Sequence, residues 1–159
     1  MPERATALTG SAGEHFVAYK LSAFGYPVAL TRGGSPTIDL MVGDLSGNAA
    51  VSIQVKTDNW ARREYKRKPQ NNHWEWYVNP KVLTLVGESI FYAFVDLKWN
   101  PAQPLQPDVF ILPSKEVAGR FTAGWKMYRF WLMDNEKEKW FEAWHLITDR
   151  LHGEQRRGG

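Results

Sequence analysis

At 159 residues the chain has the length of one domain, and its 43% hydrophobic and 23% charged residues are typical of a globular protein. It contains no cysteine, which excludes disulfide frameworks, thiolate metal sites and cysteine nucleophiles. No apolar run approaches the roughly 18 to 20 residues of a membrane span. The N-terminal segment lacks the apolar core of a signal peptide, so we expect a cytoplasmic protein with no membrane partner.

The first part of the chain predicts one helix followed by three short strands. Apolar residues Val17, Leu21 and Phe24 recur at helical spacing within residues 11–24, and Gly25 is a natural terminator. Three β-rich runs follow, separated by turn-forming clusters. The predicted strands lie at residues 26–32, 37–44 and 50–57.

Beyond these strands the pattern alternates between loops, strands and helices. A polar stretch at residues 58–73 has no periodicity and is expected to be an exposed excursion. We expect strands at 73–79, 90–99 and 108–113, a strand or irregular segment at 124–133, short helices at 80–86 and, capped by Ser114, at 114–121, and a helix at 135–151. The order predicts an α/β domain over residues 1–151, with a mixed sheet flanked by helices, and a flexible polar tail at 152–159.

Tryptophans at strand and helix spacing are best interpreted as core residues. Trp74 and Trp76 share one strand face, and Trp140 and Trp144 lie on one side of the predicted terminal helix. Base stacking or a dimer contact is the alternative for the first pair.

Positive charge is concentrated in one segment of the chain. The formal net charge is +3, yet six basic residues face two acidic ones between Lys56 and Lys68. Such a segment on a nearly neutral chain favours a polyanionic partner, and an ordinary solvated loop is the alternative. The candidate nucleic-acid-binding residues are Arg62, Arg63, Lys66, Arg67 and Lys68.

Polar side chains share one face of two neighbouring predicted strands. Asp39 alternates with apolar residues of its strand, and Gln54 and Lys56 alternate with those of the next. If the two strands pair as a hairpin, the three side chains meet on one side of the sheet and form a cation and phosphate site. An ordinary polar strand face is the alternative for each residue alone.

A fourth candidate lies on the first helix. Glu14 shares the inward stripe of Val17 and Leu21, where an acid requires a partner. The alternative is a capping box, in which Ser11 starts the helix and Glu14 bonds a backbone N–H there.

Together, GEHFVAYKLSAFGYPVAL, PTIDLMV and SIQVKT resemble the PD-(D/E)XK nuclease superfamily, which has the restriction-endonuclease-like fold. The Gln-x-Lys form resembles that of Mrr-type restriction enzymes and Holliday-junction-resolvase-like nucleases. The resemblance covers about the first sixty residues and implies an αβββαβ core. It makes Glu14 the helix acid, Asp39 the central metal ligand, Gln54 the variable ligand and Lys56 the active-site lysine.

The resemblance implies metal-dependent hydrolysis of DNA phosphodiesters by an endonuclease of defence, repair or recombination type. Mg²⁺, with Mn²⁺ as substitute, would be held by Asp39, Gln54 and Glu14, and Lys56 would hold the attacking water. Because Gln54 removes one negative charge, a non-catalytic nucleic-acid-binding module with a degenerate site is the alternative. A third reading is an interaction protein whose basic segment meets an acidic protein. Symmetric cleavage of a duplex would favour a C₂ homodimer, so a homodimer is a possible assembly.

Overall fold

The computed structural model describes residues 6–31 and 37–157, and its centre is a five-stranded mixed sheet. In spatial order the strands are β1 (Val28–Leu30), β2 (Leu40–Gly43), β3 (Ala50–Asp58), β6 (Ile90–Asp96) and β7 (Asp108–Pro113). Strands β1, β2 and β3 are antiparallel neighbours, β3 and β6 run parallel, and β7 returns antiparallel to β6. The predicted mixed central sheet is therefore confirmed.

A second sheet covers one face of the central sheet. Its three antiparallel strands, in the order β4-β5-β8, are β4 (Arg62–Arg63), β5 (His73–Tyr77) and β8 (Arg129–Met133). The expectation that residues 58–73 form an exposed excursion is wrong for β4. The Arg62 guanidinium lies 4.1 Å from the centroid of the Trp74 ring and forms an ion pair with Asp134. The two arginines thus form a strand because of contacts with distant residues, which the local sequence pattern cannot predict.

The helices of the described ranges flank the central sheet, as predicted. They are α1 (Thr6–Ala23), α2 (Ser114–Ala118), α3 (Lys137–Trp140) and α4 (His145–Arg157). The first begins earlier than the predicted residue 11, and the last continues beyond the predicted end at residue 151. None of the described helices is long and apolar enough to cross a bilayer.

The predicted helix at 135–151 is interrupted where the chain pairs with β7. Glu142 adopts a positive φ of 49° and donates its backbone N–H to the Val109 carbonyl at 2.9 Å. The adjacent Phe141 forms an isolated antiparallel bridge with Phe110. These contacts with a sheet edge replace the helical hydrogen bonds at this point, so two helices form in place of one.

The predicted short helices at 80–86 and 114–121 are also affected by a tertiary contact. The first is a 3₁₀ turn at Pro80–Leu83. The chain therefore passes from β3 to β6 through β4, β5 and this turn, and not through the α-helix of the implied αβββαβ order. The Ser114 hydroxyl bonds both the N–H and the carbonyl of Gly87 at 3.0 Å. Ser114 is therefore the buried first residue of α2 and not its cap.

Two apolar layers lie on the two faces of the central sheet. One packs α1 and α4 against β2, β3 and β6, with Leu21 and Ile53 fully buried. The other packs the second sheet against β6 and β7, with Phe94 stacked on Phe130 at 4.1 Å between ring centroids. The core role predicted for the tryptophans is confirmed, because all four side chains are buried. They are Trp74, Trp76, Trp140 and Trp144.

Helix α1 lies close against β3 at a glycine. A Cβ atom placed on Gly13 would lie 1.8 Å from Thr57 Oγ1 and 2.9 Å from Thr57 Cβ. The missing side chain therefore lets the helix lie directly on the strand. This contact places the next residue, Glu14, beside the end of β3 that carries Lys56.

We expect Gly13→Ala to destabilise the fold by about 1–3 kcal/mol, because the added methyl group overpacks the contact with Thr57. Gly10→Ala is the matched control, since the same helix has nothing within 4 Å of a Cβ there. That variant should gain up to about 1 kcal/mol from helix propensity. Urea unfolding of both proteins tests the contrast, and equal stabilities would show that α1 does not depend on this contact.

Candidate active site

The predicted hairpin contact between Asp39 and Gln54 is present. The β2–β3 register pairs Leu40 with Ile53, so the residues next to them lie opposite each other. The carboxylate of Asp39 accepts hydrogen bonds at Oδ2 from the Gln54 side-chain amide and, at 2.7 Å, from the Val55 backbone N–H. Asp39 also donates its backbone N–H to the Ile53 carbonyl at 3.0 Å. The carboxylate is thus held in one orientation against β3.

Two charged groups and one carboxylate oxygen of the site have no direct partner within the described ranges. Within residues 6–31 and 37–157, Asp39 Oδ1 accepts no hydrogen bond. The Glu14 carboxylate and the Lys56 ammonium likewise form no hydrogen bond or ion pair with the residues that the structure describes, although their charges interact with each other and with Asp39. Groups that are charged, partly buried and without direct partners are available to a ligand.

Burial and repulsion act together on the two carboxyl groups. Burial raises the pKa of Glu14, and the nearby charge of Asp39 raises it further. Burial also raises the pKa of Asp39, against the opposing effects of the Val55 N–H, Lys56 and Gln54. A cation between the two carboxylates would relieve both the repulsion and the cost of burying them.

Lys56 completes the predicted quartet. Burial lowers the pKa of its ammonium group, whereas the charges of Asp39 and Glu14 raise it. Burial is the largest effect, so the pKa lies below the ordinary lysine value of 10.5. The four predicted residues are therefore brought together, and the capping interpretation of Glu14 is wrong because α1 begins at Thr6.

Sequence reasoning missed three residues of this site. Tyr92 on β6 lies opposite Gln54 in the parallel register, and burial together with Asp39 raises its pKa to about 12. Asn79 and Lys81 lie at the 3₁₀ turn and line a small pocket that also contains Lys56. Alternation within β6 could have placed Tyr92 on a face, but its strand partner follows from topology alone.

The donor set fits a hard divalent cation. No group of three or more His, Asp or Glu side chains in the described ranges is arranged to hold a metal ion. Mg²⁺ nevertheless needs one or two carboxylates and completes its octahedron with neutral oxygens. Gln54 directs its amide nitrogen at Asp39, and a half-turn of the amide would present its oxygen instead.

The five predicted nucleic-acid-binding residues fall into two groups. Arg62 forms an ion pair with Asp134, which raises the pKa of the arginine, and Arg63 lies 3.9 Å from Glu75. The other three are exposed and form no ion pair within the described part of the chain. They are Lys66, Arg67 and Lys68.

The fold of the chain has a counterpart among solved structures. No protein-family model and no curated protein sequence matches the sequence of this chain. The solved structure of a bacterial homing endonuclease, I-Ssp6803I, is similar with a TM-score of 0.59 over 97% of this chain and 99% of that one, at 13% sequence identity. The chain therefore has the fold of a nuclease.

Proposed function

We propose that this protein is a metal-dependent DNA endonuclease of the PD-(D/E)XK superfamily in its Gln-x-Lys form. One observation carries the proposal: the Asp39 carboxylate is fixed by Gln54 and the Val55 N–H beside Lys56 and Glu14. The fold that the chain shares with a bacterial homing endonuclease supports it.

In this proposal each residue of the site has a distinct task. Bound Mg²⁺, or Mn²⁺ in its place, would activate water and neutralise charge on the phosphate. Asp39 and Glu14 would hold the cation, and Gln54 would contribute its amide oxygen after a half-turn of the amide, with the Val55 N–H still orienting Asp39. Lys56 donates hydrogen bonds to the attacking water and to the negative charge that develops on the phosphate.

The proposal assigns contact with the DNA backbone to the loop of Lys66, Arg67 and Lys68. Arg62 and Arg63 are engaged by Asp134 and Glu75, so they serve chiefly to hold β4 in place. Exposed lysine and arginine side chains without ion pairs can contact DNA phosphates and so release the counterions that are condensed on the DNA.

We expect neutralisation of this loop to change the salt dependence of DNA binding. Each phosphate contact contributes about 0.9 to the slope of log K against log salt, so Lys66→Ala/Arg67→Ala should lower the slope by about 1–2. Lys115→Ala/Lys139→Ala removes two exposed lysines from α2 and α3 and should leave the slope unchanged. Anisotropy titrations at several salt concentrations measure both, and equal slopes would remove the loop from the interface.

The test of the enzymatic proposal is a titration of Mg²⁺ and Mn²⁺ into the protein with supercoiled, linear and branched DNA. We expect nicking or cleavage that requires the metal. Binding without cleavage under every metal would contradict the proposal. It would support a binding module with a degenerate site. In that case Gln54→Glu, which restores a carboxylate, should create activity.

A further inference from the structure

The outer face of the second sheet is rich in exposed aromatic side chains. Trp74 and Trp76 of β5 point into the core, so the alternate residues of β5 and β8 point away from it. Five large side chains on and beside this surface are each 47–58% exposed, and we call them the aromatic face. They are Tyr65, Tyr77, Trp125, Met127 and Trp131.

A buried acid holds this face in a fixed geometry. Glu75, which is 7% exposed, accepts a hydrogen bond from Trp131 Nε1 at 2.7 Å and one from Arg129 at 3.5 Å. The Arg129 guanidinium also lies 4.9 Å from the centroid of the Tyr77 ring. Rings and guanidinium groups held in this way lose little entropy when a ligand binds.

A groove crosses one end of the face. It has a volume of about 510 Å³ and is lined by Arg120, Trp125, Met127, Arg129 and Trp131. Its walls are indole rings and a thioether, and the charged groups among its lining residues are two guanidinium groups. An open apolar slot of this kind accepts flat rings. Its two arginines are engaged, Arg120 by Glu136 and Arg129 by Glu75, and these ion pairs hold the walls of the groove in place.

Charge favours a polyanion over a second copy of the chain. Arg63 and Arg129 flank the face, and the exposed basic loop at residues 66–68 follows Tyr65, whose ring stacks on His73 at 5.9 Å. Glu75 pairs with Arg63 and Arg129, and Glu136 pairs with Arg120, whereas no ion pair within the described ranges offsets the charge of the loop at residues 66–68. Two copies meeting through this face would bring like charges together, whereas phosphates would be attracted.

We infer that the aromatic face binds unpaired bases of a nucleic-acid strand. Bases would stack on Tyr77, Trp125 and Trp131, while phosphates meet the exposed basic loop at residues 66–68. The inference rests on the proposed function in taking nucleic acid as the ligand. The binding face is separate from the active site, because the second sheet lies between it and the sheet face that carries Gln54 and Tyr92.

Fluorescence anisotropy in EDTA tests this inference with a labelled oligothymidylate of about 15 nucleotides and a duplex of equal length. We expect Tyr77→Ala/Trp125→Ala to weaken binding of the single strand by roughly tenfold or more and to affect the duplex less. Tyr19→Ala, which removes a 66% exposed ring from α1, is the control and should bind as wild type does. Independently of any variant, an oligonucleotide carrying 4-thiothymidine should cross-link to residues 125–131.

Three results would overturn the inference: unchanged affinity of the double variant, cross-links exclusively outside Tyr65, Tyr77 and residues 125–131, or a dimer seen by light scattering that the double variant dissociates. Asp39→Asn should bind the oligothymidylate normally, which separates this surface from the active site. If the wild type cleaves no DNA yet the double variant loses single-strand affinity, the inference stands and the proposed enzymatic function falls.

Discussion

Asp39→Asn should abolish metal-dependent cleavage of DNA and leave DNA binding close to that of the wild type. Asp39 is the acid that Gln54 and the Val55 N–H fix in place, and its Oδ1 remains open toward the site. Stabilisation of phosphate charge by a metal is worth several kcal/mol, so loss of the proposed principal ligand should reduce the rate by about 10³-fold or more. The neutral amide keeps the shape of the side chain, so the fold should survive.

The stability of the same variant separates a functional role from a structural one. Burial raises the pKa of Asp39, so the folded chain holds that proton more tightly than the unfolded chain does. The ionised carboxylate therefore costs stability once the pH exceeds both pKa values, and the cost disappears at acidic pH. In EDTA at neutral pH, Asp39→Asn should melt at or above the temperature of the wild type.

Asp149→Asn is the matched control, because it neutralises an exposed carboxylate on α4. It should cleave DNA at the wild-type rate. Cleavage by Asp39→Asn within tenfold of the wild-type rate would remove Asp39 from the catalytic centre. A large drop in its melting temperature would instead indicate that the residue is structural.

Local patterns were sufficient to predict the part of the fold that carries this site. Alternation of apolar and polar residues placed Asp39, Gln54 and Lys56 on one face, and strand pairing then brought the first two into contact. Helical spacing placed Glu14 on the inward stripe of α1. Each pattern spans a few residues and depends only on the period of its own helix or strand. It can therefore be recognised from the local sequence.

Long-range contacts explain what could not be predicted. Arg62 forms a strand because of Trp74 and Asp134, which lie far from it in the chain. The terminal helix breaks at Glu142 because a backbone carbonyl of β7 takes its N–H. Tyr92 joins the site through the parallel pairing of β3 and β6, whose order in the sheet no local pattern specifies.

Lys56→Met should reduce cleavage by roughly 10²–10³-fold, the loss that follows removal of one preorganised donor from a transition state. Methionine keeps the apolar length of the side chain and removes the ammonium group that faces Asp39 and Glu14. DNA binding should change little, because the exposed loop at residues 66–68 supplies the backbone contacts in the proposed function. Cleavage assays at DNA concentrations well above the dissociation constant measure the loss in the cleavage step alone.

The pH dependence of stability gives the sharper test of Lys56. Burial lowers the pKa of its ammonium group, so the folded chain holds that proton less tightly than the unfolded chain does. The charged lysine therefore costs stability below its folded pKa, and the cost disappears as the pH rises past the ordinary value of 10.5. Lys56→Met should thus melt above the wild type at neutral pH, with a difference that shrinks toward pH values above 10.5.

Lys115→Met, at an exposed position of α2, provides the control and should alter neither cleavage nor melting temperature. A buried lysine kept for packing would give the opposite result at residue 56, since its removal would lower the melting temperature and spare cleavage. A residue whose charge lowers the stability of the free protein, and whose removal lowers activity, acts through that charge on the substrate. The proposed function predicts both effects for Lys56.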